Sequence, residues 1–132
     1  MAKPWEEAPK RVRIWVGSKL LEGQLNHSPT ALALWKRLPV SGEGNRWGEE
    51  LYFYLPWELP QGDSQEVVEP GTLAYWPQGP ALCIFWGPTP VSRHGECRAY
   101  SPVCPVGRIL SDLSVLSTLE DAGIRMEAVG MG

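Results

Sequence analysis

Clustered positive charge, paired cysteines and unbroken apolar helices are all scarce in this chain, and each shortage excludes something. Net charge is −3 over 132 residues and the basic side chains are scattered. That leaves no electrostatic footprint for a nucleic-acid backbone or an anionic membrane. Cys83, Cys97 and Cys104 form neither a CxxC pair nor an even set, and His27 and His94 are the only histidines. This argues against a zinc site, and for free thiols in a reducing compartment rather than a Cys97–Cys104 disulfide. No metal or other cofactor is expected. Residues 1–13 carry Lys, Glu and Pro without the apolar run of a signal peptide, which points to a cytoplasmic protein. The longest uncharged stretch, 70–92, is long enough to cross a bilayer, but its Gly and Pro residues would break a spanning helix. No internal repeat is evident.

The chain is organised around Gly71 to Pro90, GTLAYWPQGPALCIFWGPTP, its densest apolar stretch. Strand-like runs Thr72–Trp76 and Ala81–Trp86 flank the turn signal Pro77-Gln78-Gly79-Pro80. The second run has no charged or hydrophilic side chain, so both its faces must be covered. By period-two alternation Leu82, Ile84 and Trp86 point one way, and Ala81, Cys83 and Phe85 the other. One set fills a core, and the other has to meet a helix, a second sheet or a ligand pocket.

At 132 residues and 43% apolar, the sequence fits one domain over 1–132, with 1–10 as a flexible N-terminal segment. Arg11–Gly17 and Lys19–Leu25 read as a hairpin turned at Gly17-Ser18, with Val12, Ile14 and Val16 on one face. Ser28-Pro29 offers a cap and a first-turn proline for a helix that carries Ala31, Leu34 and Leu38 on one stripe and stops before Pro39. From Val40 to Leu55 the pattern is extended, with Gly42, Gly44 and Gly48 as places for turns or bulges. Within it Leu51, Phe53 and Leu55 make a core face, while Glu50, Tyr52 and Tyr54 make a polar and aromatic one.

Residues 66–69 suggest a short strand, 89–101 a long polar loop suited to specificity, and 103–110 a strand made irregular by Pro105. Ser111 or Asp112 can cap a short helix through Leu119, Gly123 can stop it, and 124–129 alternates as a closing strand. Many short strands with two short helices point to a closed barrel plugged at its ends, with an open α+β sandwich as the alternative.

The motifs NRWGEELYF (45–53) and AYWPQGPALCIFWGPTP (74–90), with the SPTALALWKRLP helix before them and the PVGRI strand after, resemble the cyclophilin-like family of bacterial and archaeal proteins. The resemblance spans nearly the whole chain. It implies a closed eight-stranded cyclophilin-type β-barrel capped by two short helices, in a family with no agreed biochemical function. Similarity to the true cyclophilins, the peptidyl-prolyl isomerases, is more distant. It places Gly71–Trp76 and Cys83-Ile84-Phe85 on the corresponding strands, with Phe85 in place of the phenylalanine that receives the substrate proline. Cys83 then stands for a glutamine and Trp76 for a small residue. The spacing of Arg46 to Tyr52 and Tyr54 resembles that of the catalytic arginine to two further pocket side chains.

Three functional readings follow. In the first, Tyr52, Tyr54, Trp76, Cys83 and Phe85 form an aromatic concavity on the outer barrel face, with Arg46 as charged anchor for a small carboxylate or a peptide segment. In the second, Arg46 and Phe85 are catalytic. The arginine would donate toward a prolyl nitrogen and weaken the amide resonance while the ring is held on an apolar wall. In the third, exposed tryptophans such as Trp5 or Trp57 make an interface, including that of a homo-oligomer. Against the first two stands a purely structural alternative, in which the aromatics pack under the 89–101 loop and Arg46 pairs with Glu49 or Glu50. Cys83 in mid-strand is better suited to packing than to nucleophilic attack.

Overall fold

Residues 9–130 are described by a computed structural model. The N-terminal hairpin forms as its alternation predicts: β1 (Lys10–Val16) pairs with β2 (Lys19–Leu25) around Gly17, whose φ of +59° suits a residue without a side chain. Lys10 is already part of β1, and residues 1–8 of the expected flexible segment, Trp5 among them, lie outside the described residues. Helix α1 (Pro29–Arg37) starts where the Ser28 Oγ accepts the Ala31 amide hydrogen at 3.2 Å, with Pro29 in the first turn. Its buried face carries Thr30, Ala31 and Leu34.

Strands β3 (Val40–Arg46), β4 (Glu50–Tyr54), β5 (Gln65–Val68), β6 (Thr72–Trp76), β7 (Ala81–Phe85), β8 (Cys97–Ile109) and β9 (Ala122–Ala128) follow, with α2 (Leu113–Leu116) before the last. Every recorded pairing is antiparallel. Eight strands close into a ring in the order β2, β1, β9, β3, β4, β7, β6, β8, and β8 returns to β2 through Gly23↔Ile109 to Leu25↔Gly107. Closure leaves those eight strands without a free edge. The ninth strand, β5, pairs only with the first half of β8.

The inward side chains form the main core, with Ile14, Leu21, Leu51, Phe53, Leu73 and Leu82 among the fully buried. The helices close opposite ends. Helix α1 precedes the start of β3, helix α2 precedes the start of β9, and β3 and β9 run antiparallel. Leu116 and Leu119 join the core at the α2 end, Ala31 and Leu34 at the other.

Three local expectations are corrected. The polar loop after the central hairpin is shorter than 89–101, because β8 begins at Cys97. Its first half is held by β5 through Val67↔Arg98 and Val68↔Cys97. The second helix ends at Leu116 rather than Leu119, since the Ser117 and Thr118 hydroxyls turn back onto the Ser114 and Val115 carbonyls. Gly123 then lies inside β9 instead of stopping a helix. Pro105 does disturb its strand: the β6–β8 register slips between Leu73 and Ala74, where Ala74 meets Pro105. Trp57, expected at an interface, is half-buried and has the Arg37 guanidinium 5.6 Å from its ring centroid.

Candidate functional site

The outward side chains of β4, β7 and β6 stand in rows set by the ladder: Tyr54, Ala81, Trp76; then Tyr52, Cys83, Ala74; then Glu50, Phe85, Thr72. Small residues, Ala81 and Cys83, occupy the middle of the first two rows, flanked by Tyr54 and Trp76 in the one and by Tyr52 and Ala74 in the other. A sheet with that arrangement is hollow at its centre. The β5 strand and the first half of β8 fold over one side and bury Ala74, Cys83, Phe85, Val68, Cys97, Ala99 and Val103 as a second, smaller core. So both coverings foreseen for this face are present, a second sheet and a cavity beside it.

The cavity measures about 240 Å³. Tyr52, Tyr54, Trp76, Cys83 and Phe85 all line it, joined by Glu50, Trp47, Ala99, Tyr100 and Val103. Its rings meet nearly at right angles. Trp47 and Tyr100 are 6.2 Å apart at 72°, Trp76 and Tyr100 6.2 Å apart at 84°, and Tyr52 and Tyr54 5.7 Å apart at 88°. Such edge-to-face corners stabilise one another and fix the walls. The Trp76 indole is pinned further, its Nε1–H donating to the Ser101 Oγ at 2.6 Å. Tyr54 and Tyr100 stand exposed at the rim, whereas Cys83 and Phe85 form a covered floor.

Glu50 is the one carboxylate of the lining and only 5% exposed. None of the ion pairs among the described residues involves it. Burial pushes its carboxyl up to about 7, and the neighbouring Cys83 thiol offsets only part of that. Cys83 is itself driven well up, by burial first and the Glu50 charge second. A thiol held protonated in this way suits packing better than nucleophilic attack.

Arg46 is absent from this site. Its expected alignment with Tyr52 and Tyr54 supposes one continuous strand, but residues 47–49 turn the chain around Gly48 at φ +62°. Arg46 therefore ends β3 opposite Leu51, out of step with the outward row. Its guanidinium binds the carbonyls of Gly48 (2.9 Å), Leu119 (2.8 Å) and Ser117 (3.2 Å), pairs with Glu49 at 3.4 Å, and lies 5.4 Å from the Trp86 ring centroid. This is the Glu49 pairing of the structural alternative. Arg46 ties the β3–β4 turn to the segment after α2.

Arg46→Ala is accordingly expected to cost about 2 kcal/mol of stability, through lost charge-assisted bonds to carbonyls. Urea unfolding measures this. An equally stable variant would show that the arginine is free for another task.

Sequence reasoning missed Glu50 as a site residue, although it had placed it on the face of Tyr52 and Tyr54. A carboxylate opening an aromatic row was the available signal. Trp47 and Tyr100 left none, because a turn and a distant strand bring them in.

A family model described as cyclophilin-like matches residues 10–127. The solution structure of the hypothetical protein AF2241 from Archaeoglobus fulgidus is similar, with a TM-score of 0.75 and 32% sequence identity. The match covers 90% of this chain and 94% of that one. No curated protein matches at a significant level.

Proposed function

The chain belongs to the cyclophilin-like family, and from that premise we propose that it is a binding module, whose outer-face hollow takes the apolar group of a small molecule or short peptide segment. The observation that carries this is the lining itself. Cys83 and Phe85 floor a cavity of about 240 Å³, and aromatic rings from separate elements wall it. Concave, mostly apolar sites with a few polar groups are the usual form of ligand pockets.

A small carboxylate, expected while Arg46 was its anchor, is not carried forward. The arginine is engaged elsewhere, and the acid in the hollow would repel it. Nor is arginine-assisted prolyl isomerisation. It needs the arginine beside an accessible aromatic wall, and Phe85 is fully buried while Arg46 lies outside the lining.

The test is titration with 3,3-dimethyl-1-butanol, a small neutral alcohol with a tert-butyl group, followed by the indole N–H signals of the tryptophans. Saturable shifts of Trp47 and Trp76, with a dissociation constant roughly millimolar for so few atoms and Trp35 on α1 unmoved, are expected. Absence of saturable shifts at Trp47 and Trp76 would remove the proposal.

A further inference from the structure

We propose that the hollow is an aromatic cage for a small organic ammonium ion, carrying three or four carbon substituents on nitrogen, with the Glu50 carboxylate as its counter-charge. The inference rests on the binding reading above and makes it specific.

The rings are the first ground. Cations are attracted to the electron-rich faces of Trp and Tyr, most strongly where water is excluded. Trp47, Tyr100 and Trp76 form two successive near-perpendicular corners, and Tyr52 with Tyr54 forms a third on the other side of the floor. Walls that meet this way border one volume from several directions, as an ion with no preferred axis requires.

The second ground is charge. Glu50 is 95% buried by area, lines the cavity, and is joined to no Lys, Arg or His among the described residues. An ionised carboxylate removed from water with only a thiol beside it is costly, and a cation placed in the hollow would supply the missing counter-charge. Arg98, the basic side chain on the covering first half of β8, is occupied by Glu96 at 2.9 Å and Glu66 at 3.4 Å.

The third ground is size and hydration. About 240 Å³ is smaller than pockets for drug-sized molecules, and it suits a head group with a short tail leaving past the exposed rim of Tyr54 and Tyr100. A primary ammonium has three N–H donors and strong hydration to replace. A lining this rich in rings and small apolar groups does not replace them, whereas an alkylated ammonium asks for few acceptors or none. Glu50 sits where a modest change in surroundings decides its ionisation. Burial holds it near 7, and a bound cation would favour the charged form. The other titratable groups facing it are the Cys83 thiol from β7, Tyr52 and Tyr54 from β4 and Tyr100 from β8. Cys83 and Tyr52 are both pushed up, away from this range.

Choline and its neutral carbon isostere, 3,3-dimethyl-1-butanol, separate charge from shape. At pH 8 choline is expected to bind the wild-type chain roughly tenfold more tightly, about 1.4 kcal/mol, read by the Trp47 and Trp76 indole signals. In Glu50→Gln that advantage should shrink to the smaller part that the rings alone supply, with the same spectra showing whether the variant is folded. In the wild type choline binding should weaken as pH falls from 8 to 5.5.

Equal binding of the two probes to wild type overturns the ammonium inference and leaves the binding reading intact, and this comparison needs no variant. Failure of both probes removes both. A trimethyl-lysine peptide that binds far more tightly than choline would overturn the small-molecule source in favour of a modified protein tail.

Discussion

At pH 8 the Glu50→Gln variant is expected to be more stable than the parent chain by about 3 kcal/mol, an increase on the order of 10 °C in melting temperature. In the unfolded chain Glu50 releases its proton near 4.5, and in the fold only near 7. Between these values the native state keeps a proton that the unfolded state has lost, so stability falls as pH rises. The stabilising contribution is complete below 4.5 and gone once pH has passed the folded value. Glutamine does not titrate, so the difference between variant and parent should grow from near zero at pH 4.5 to its full size above pH 7.

Glu96 does not obscure this. The His94 amide above all, with further help from Arg98 and the Arg93 amide, holds its carboxyl down to about 2. Its contribution is therefore lost only as pH falls from 4.5 toward 2. Urea unfolding of both chains at pH 4.5, 6 and 8 measures the difference directly. A constant difference across that range would mean that Glu50 titrates as an exposed acid and that the hollow does not desolvate it.

Gly107→Ala should destabilise the fold by about 3 kcal/mol or more, because it strikes the seam that closes the ring. Gly107 lies opposite Leu25 on β2 and Leu73 on β6, so its strand is bonded on both sides at one residue. A Cβ added there would run into the Gln24 carbonyl oxygen and lie 2.9 Å from the Leu25 Cα. Both are backbone atoms, and no change of rotamer moves them. Relief requires β2 and β8 to part, yet only three residue pairs join them, Gly23 to Leu25 with Gly107 to Ile109.

Gly123→Ala is the control, since it also lies in a strand but a Cβ there meets nothing within 4 Å. It should change stability by less than about 0.5 kcal/mol. Chemical denaturation of the two alanine variants tests the seam, and comparable midpoints would mean that the ring tolerates an opening between β2 and β8.

Most of the strands could be read from residue order because their signal is local. Alternation in RVRIWV and LYFYL requires a period of two, the unbroken apolar run ALCIF reads as a strand covered on both faces, and Gly17 and the 77–80 turn mark where runs reverse. The same alternation assigned Leu82 and Ile84 to one face and Cys83 and Phe85 to the other, which is how the two cores divide them. Five of the residues expected in the aromatic concavity line the hollow for that reason: strand parity put them on one surface. The α1 cap is equally local, a serine and a proline in consecutive positions.

Long-range pairing decided the rest. Arg46 and Tyr52 have a spacing that suits one strand, but the turn at Gly48 starts a new one and resets the parity, so the arginine leaves the face that its spacing had suggested. Tyr100 and Val103 reach the hollow because β5 holds the first half of β8 in extended form, a pairing between segments some thirty residues apart with little apolar alternation of their own. Burial of Glu50 depends on both events. Alternation placed its side chain outward, and the strand that covers that outward face arrives from elsewhere in the chain. Periodicity states which side chains share a surface. What lies over that surface, and hence whether a carboxylate meets water or aromatic rings, is determined only when the ring closes and β8 folds across it.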